Sequence, residues 1–378
     1  AWDDISWTSI ATGTTALIHI AQLAVLARLL TPAELGLIAL ANVVIAFAMM
    51  LTDCGLSNYL IHRGETNRLE QSSLYWLNLF LGSATALVVV LAAPAISRYY
   101  GAPDLRPLLA LTGVMYPIVA AGVPLRAQLA RRLQLSTVGK IETTSRLGGA
   151  AVLAATAVHG QGAASYVYGQ LAFACCQTLL LLLACRRSDL PDAVFSARAA
   201  AGGLRFGLLT SAGQLLNRLA SDLDTLLIGR FLGLDALGVY SLAKELTFGA
   251  LRVLTTVISR IGIPLLASRQ RNESVLAQSF TDLLTLSGYI ALTGFVGFAL
   301  LAPVLAPALY GPPGEGLAPY IALLAMTAIL RSMGTVNGVL IIATGRAQLD
   351  LRWNTLVILV TLPLVFAGAS HSIEGLLY

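Results

Sequence analysis

Charge is scarce in this chain. Of its 378 residues, 24 are Lys or Arg and 19 are Asp or Glu, together 11%, against about 25% in an ordinary soluble domain. So few ions cannot cover a water-facing surface, which excludes a soluble globular protein; 57% of the residues are apolar or aromatic instead. Cysteine is nearly absent too. Cys54, Cys175, Cys176 and Cys185 lie in or beside apolar runs without metal-ligand spacing, which argues against a disulfide framework or a zinc site. No G-x-x-x-x-G-K-[ST] phosphate loop occurs, so the chain does not itself hydrolyse ATP. The opening AWDDISWTSI lacks the basic segment and cleavage site of a secretory signal and an initiating Met, so the sequence is expected to be part of a longer chain.

What is abundant is long apolar runs. A membrane span needs about 20 mostly apolar residues, and that ruler predicts helices over 5–29, 33–61, 72–98, 105–130, 137–158, 163–185, 205–231, 235–266, 276–304, 317–344 and 349–369. The final HSIEGLLY reads as the start of a twelfth. With a cytoplasmic N-terminus, fifteen loop or helix-end arginines and lysines fall on the cytoplasmic side, against four (Arg28, Arg98, Arg106 and Arg230) on the other. That asymmetry is what the positive-inside rule requires, so the net charge of +5 reports topology. Basic residues spread over loops between spans argue against a nucleic-acid partner.

The chain also repeats itself. RLLTPAELGLIALA (28–41) and RFLGLDALGVYSLA (230–243) agree at six of fourteen positions at a fixed offset of 202. The polar segment 187–204 separates the copies, predicting an N-terminal lobe over 1–186, a cytoplasmic linker, and a C-terminal lobe over 205–378. The expected fold is all-α and integral to the membrane: two pseudo-symmetric six-helix bundles, about twelve helices with the last incomplete. An even number of helices per repeat gives both copies the same orientation, one transporter design with its site between the halves.

Five basic residues fall inside spans: Arg146, Arg218, Lys244, Arg252 and Arg331. At 1.5 Å per residue, Arg146, Arg218 and Arg331 sit roughly 13, 20 and 21 Å into their helices, close to the bilayer centre. A charge there costs at least about 2.5–3.5 kcal/mol, so it is expected to face a wet cavity or a partner. Arg218 and Asp222 are four apart and can pair, as can Glu142 and Arg146. Lys244 and Glu245 are adjacent and point about 100° apart on a helix. Arg331 has no acid at helical spacing. A cavity with surplus positive charge suits an anion, and guanidinium suits phosphate; ion pairs that only fix packing are the competing reading.

At this point the chain resembles a known family, the polysaccharide-transporter (Wzx-type) flippases of the MOP superfamily, which also holds MATE drug exporters and lipid II flippases. The resemblance rests on ARLLTPAELGLIALANVVIAFAMMLTDCGLSNYLIHR, residues 27–63, with its Arg-Leu-Leu turn, Pro-Ala-Glu-Leu-Gly helix start, Asp-x-Gly-Leu-Ser segment and closing Arg; it continues weakly to the SIEG at 372–375. It implies a V of two lobes in a bacterial inner membrane. It also implies transfer of undecaprenyl-pyrophosphate-linked oligosaccharide from the cytoplasmic to the periplasmic leaflet, for exopolysaccharide, O-antigen or capsule. Expected partners are that glycan, membrane lipids and a polysaccharide polymerase, with a monomeric chain, no metal and no cofactor beyond a coupling proton or sodium ion. The five mid-span bases are the candidates for binding pyrophosphate or acidic sugars. His19 and Gln22, on one face of the first helix, and Asn217 are candidates for touching sugar hydroxyls, with packing as their alternative. Asp53, Asp222 and Asp224 are candidates for coupling. A MATE-like exporter of drugs or organic ions is the alternative function, and it calls for acids to dominate the cavity. An enzyme is not expected, because the outer loops are too short to carry catalytic carboxylates.

Overall fold

A computed structural model describes residues 2–62, 67–132, 134–185, 191–270 and 272–344. Among the described residues the regular structure is helical: α1 (Trp2–Leu29), α2 (Pro32–Asp53), α3 (Leu56–His62), α4 (Arg68–Tyr100), α5 (Leu105–Gly113), α6 (Met115–Arg131), α7 (Leu135–Val158), α8 (Ala164–Ala184), α9 (Ala197–Phe231), α10 (Gly233–Arg269), α11 (Glu273–Tyr310) and α12 (Ala318–Ala343). With α2–α3 and α5–α6 each taken as one broken pass, these are the first ten passes read from the sequence. The eleventh, at 349–369, and the twelfth lie outside the described residues. Among the described residues seven helical segments, with α5–α6 counted as one, are long and apolar enough to cross a membrane on composition alone; α7 and α9, like α1, are not among them. α7 carries Lys140, Glu142 and Arg146, and α9 carries Arg218, Asp222 and Asp224.

The two breaks have local causes. After α2, Cys54 and Gly55 take left-handed φ values of 42° and 66°, and the chain restarts as α3. There Asp53 accepts hydrogen bonds from the Ser57 amide at 3.2 Å and the Ser57 hydroxyl at 2.6 Å. Between α5 and α6, Pro117 has no N–H for the carbonyl of Gly113, where α5 ends.

The chain forms two compact units, Ala1–Asp222 and Leu223–Tyr378, and passes from one to the other within α9. The repeat is visible in the helix ends. α1 stops at Leu29 and α9 at Phe231, 202 residues later. Of the identical pairs, Leu35/Leu237, Gly36/Gly238, Leu40/Leu242 and Ala41/Ala243 are buried in both copies, whereas Arg28 and Arg230 are exposed in both. The repeated letters therefore record packing, and the α2 copy is sharpened by a capping box between Thr31 and Glu34. In the second unit α10, α11 and α12 bury Ile258, Leu266, Leu283, Val336 and Val339 together. In the first, Leu125, Leu129, Ile141 and Leu181 join α6, α7 and α8.

The expected linker 187–204 is partly structured. Asp192 accepts from Nε and Nη2 of Arg68, at 2.8 and 3.0 Å, while its amide donates to Ser72 Oγ at 2.9 Å and its carbonyl accepts from Trp76 Nε1 at 3.0 Å. α9 then starts at Ala197, inside the expected linker. Ala199–Gly203 is too small and apolar to mark a loop, and a helix there can approach its neighbours closely. At Gly207 a β-carbon would overlap the carbonyl oxygen of Cys54. Gly207→Ala is therefore expected to lower the thermal midpoint of the solubilised protein, at a cost of about 1–3 kcal/mol for overpacking, whereas Gly13→Ala, inside α1 with open space around the site, should not lower it.

Candidate functional site

The mid-span bases sort into clusters within each unit. In the second unit, the last turns of α9 bring Asp224 and Thr225 against α10. Lys244 Nζ donates to Asp224 Oδ1 at 2.7 Å and to Thr225 Oγ1 at 2.9 Å, and the Tyr240 hydroxyl donates to Asp224 Oδ2 at 2.5 Å. Tyr240 and Lys244 are one turn apart, so both reach the same carboxylate. The Lys244 and Asp224 side chains are 14% and 19% exposed, so this is a desolvated pair that persists only because each charge has its partner. Glu245 turns away and receives Arg252 Nη2 at 2.9 Å, two helical turns on.

Arg331, on α12, is different. It is exposed, its guanidinium carbon lies 4.9 Å from the centre of the Phe248 ring, and among the described residues no carboxylate lies within ion-pair range. The stack leaves the hydrogen-bonding edge of the guanidinium open and attracts the charge through the ring quadrupole.

In the first unit, Glu142 of α7 is shared by two arginines: Arg126 of α6 at 3.0 Å and Arg146 at 3.4 Å. Arg146 also lies over the Phe173 ring of α8 at 4.9 Å, and its buried Nε has no hydrogen-bond partner. Two guanidiniums on one carboxylate leave a net positive charge. Arg218 pairs with Asp222 at 2.6 Å as its spacing suggested.

Of the five mid-span bases, Arg146 and Arg218 face the carboxylates that their spacing offered, Lys244 and Arg252 face Asp224 and Glu245, and Arg331, with no acid at helical spacing, faces none among the described residues. Sequence reasoning missed Arg126, read as a helix-end residue, and the Lys244–Asp224 pair. Their partners are 16 and 20 residues away, beyond any periodic signal. His19 and Gln22 are half-buried on α1, and the side chain of Asn217 lies outside the described residues. Asp53 is occupied by Ser57, while Asp222 and Asp224 are both held by bases.

Comparison with known proteins follows the same lines. A family profile described as "Polysaccharide biosynthesis protein" matches residues 25–313. The chain is 30% identical over 362 residues to the lipopolysaccharide biosynthesis protein WzxC of Escherichia coli K12, covering 96% of this chain and 74% of that one. Among solved structures, the lipid II flippase MurJ in an inward closed conformation superposes with a TM-score of 0.77 at 11% identity, over 98% of this chain and 83% of that one. An inward-facing MATE family multidrug transporter of the MOP superfamily gives 0.70 at 17% identity, over 96% and 89%. These likenesses show the fold, that of MOP superfamily transporters.

Proposed function

Since the chain belongs to the polysaccharide biosynthesis protein family and is a multi-pass membrane protein of MOP fold, we propose that it is a flippase. Its cargo in this reading is an undecaprenyl-pyrophosphate-linked oligosaccharide, moved from the cytoplasmic to the periplasmic leaflet of a bacterial inner membrane by alternating access. The observation that carries the reading is Arg331. A guanidinium held on an aromatic ring deep in a span, with its donors unspent, offers paired hydrogen bonds to a phosphate. The shared Glu142 of the first unit leaves a second, weaker surplus of positive charge at Arg126 and Arg146. A drug cation would need an unpaired carboxylate, and Glu142, Asp222, Asp224 and Glu245 each face a base, which disfavours the MATE-like alternative.

The test is reconstitution. In proteoliposomes holding a fluorescent undecaprenyl-pyrophosphate oligosaccharide, the protein is expected to carry label to the far leaflet, where a membrane-impermeant quencher reads it. No transfer above empty liposomes would count against a flippase. Coupling to protons or sodium belongs to the same reading, with Asp53, Asp222 and Asp224 as its candidate residues. Dissipating each gradient in turn should slow the transfer in one case, and unchanged rates in both would remove coupling.

A further inference from the structure

Tyr166, Gln170, Phe173 and Gln177 of α8 follow the spacing i, i+4, i+7, i+11, which places them within about 60° of arc on one face of the helix. Cys175, Leu179 and Leu182, all exposed, occupy the opposite face. The polar stripe therefore points away from the outward-facing apolar side. At its upper end Gln170 Nε2 donates to the Tyr166 hydroxyl at 2.8 Å, which donates to Asn42 Oδ1 of α2 at 3.2 Å. Each amide uses one end in this chain. Among the described residues the Asn42 Nδ2 and Gln170 Oε1 groups make no hydrogen bond, and both side chains are half-buried.

Asn42 lies about 15 Å into α2. An amide end left unmatched at that depth is costly in hydrocarbon, so it faces water or a polar ligand. Two further observations bear on which. The stripe leads along α8 to Phe173, the ring beneath Arg146, about 10 Å from Tyr166. The repeat offset of 202 pairs Asn42 with Lys244 and Gln22 with Asp224. The same two helix positions are thus polar in both copies, as an ion pair in the second unit and as neutral amides in the first.

We propose that Asn42, Tyr166 and Gln170 form a subsite for the hydroxyls of neutral sugars, lying along α8 from the Arg146 guanidinium. Unpaired amide ends beside a phenol supply the alternating donors and acceptors that a pyranose presents, while the neighbouring arginine takes the anionic end of the same molecule. The proposal rests on the flippase reading above.

The test compares two probes on the purified full chain: undecaprenyl pyrophosphate, and undecaprenyl pyrophosphate carrying a neutral hexose disaccharide, titrated calorimetrically in detergent. The wild type is expected to bind the glycosylated lipid about tenfold more tightly, which corresponds to about 1.4 kcal/mol. Asn42→Leu/Gln170→Leu should reduce that preference to parity without changing affinity for the bare lipid. Equal wild-type affinity for the two probes overturns the subsite and leaves the flippase reading standing, whereas failure to bind either probe removes both. A preference retained in the double variant also overturns it. Should that variant unfold, Tyr166→Phe, which deletes one hydroxyl, decides instead: an undiminished preference counts against the subsite.

Discussion

Replacing Arg331 with alanine is expected to cut transfer of a lipid-linked oligosaccharide by about ten- to a hundredfold, the equivalent of losing about 1.5–3 kcal/mol of charge-assisted hydrogen bonding to its phosphate. The amount of folded protein in the membrane should not fall. The dissociation between the two readouts follows from the surroundings of this arginine. Truncating Lys244 strands the buried Asp224 carboxylate, so any loss of transport there is confounded by loss of fold. Arg331 leaves nothing behind except the face of Phe248, and removing an uncompensated charge from a span relieves an insertion cost. Arg331→Lys keeps the charge but not the planar fork or the stack, so it should recover only part of the rate. Leaflet-transfer assays on protein matched by fluorescence-detected size exclusion would measure both quantities. Full transport by Arg331→Ala would remove the observation on which the flippase reading leans.

The sequence made the passes legible because the bilayer imposes one length on every span and leaves little freedom in composition. The lobe-to-lobe repeat was legible for a related reason. Leu35, Gly36, Leu40 and Ala41 recur as Leu237, Gly238, Leu242 and Ala243 since all eight are buried against neighbours, and close packing tolerates few alternatives. Where several side chains satisfy the same requirement, the reading failed. Lys244 was set beside Glu245, its chain neighbour, although the helix turns the two apart and carries Lys244 to Asp224 on another element. Arg126 counts in the sequence among the loop and helix-end bases, yet it reaches Glu142 on the next helix. The start of α9 was hidden for a different reason: Ala and Gly look like linker in one dimension and like close helix packing in three. Spacing along one helix reports its own face, while ion pairs between helices depend on rotation and depth, which a single sequence does not encode locally.

Asp224→Asn carries the largest expected cost in stability. The change keeps the shape of the side chain and removes its charge, so the Lys244 ammonium, 14% exposed and beside Thr225 and Tyr240, loses the carboxylate it is bonded to. Removing one partner of a buried pair costs about 3–5 kcal/mol, which should appear as a sharply lower thermal midpoint and poor recovery from the membrane. Lys244→Met in the same chain removes the stranded charge at nearly constant volume and is expected to restore most of the loss, since an apolar replacement of a buried ion pair is often neutral. Arg252→Ala serves as the control: its side chain is 58% exposed, and an exposed pair contributes about 0–1 kcal/mol. The double variant then separates two roles for the pair. If Asp224→Asn/Lys244→Met recovers its thermal midpoint and also its transport, the pair only holds α9 to α10. If stability returns and transport does not, the charges themselves take part in the cycle, through an exchange of partners that neutral residues cannot make. A midpoint unmoved by Asp224→Asn alone would show that water reaches Lys244, and the pair would then have no claim to be buried.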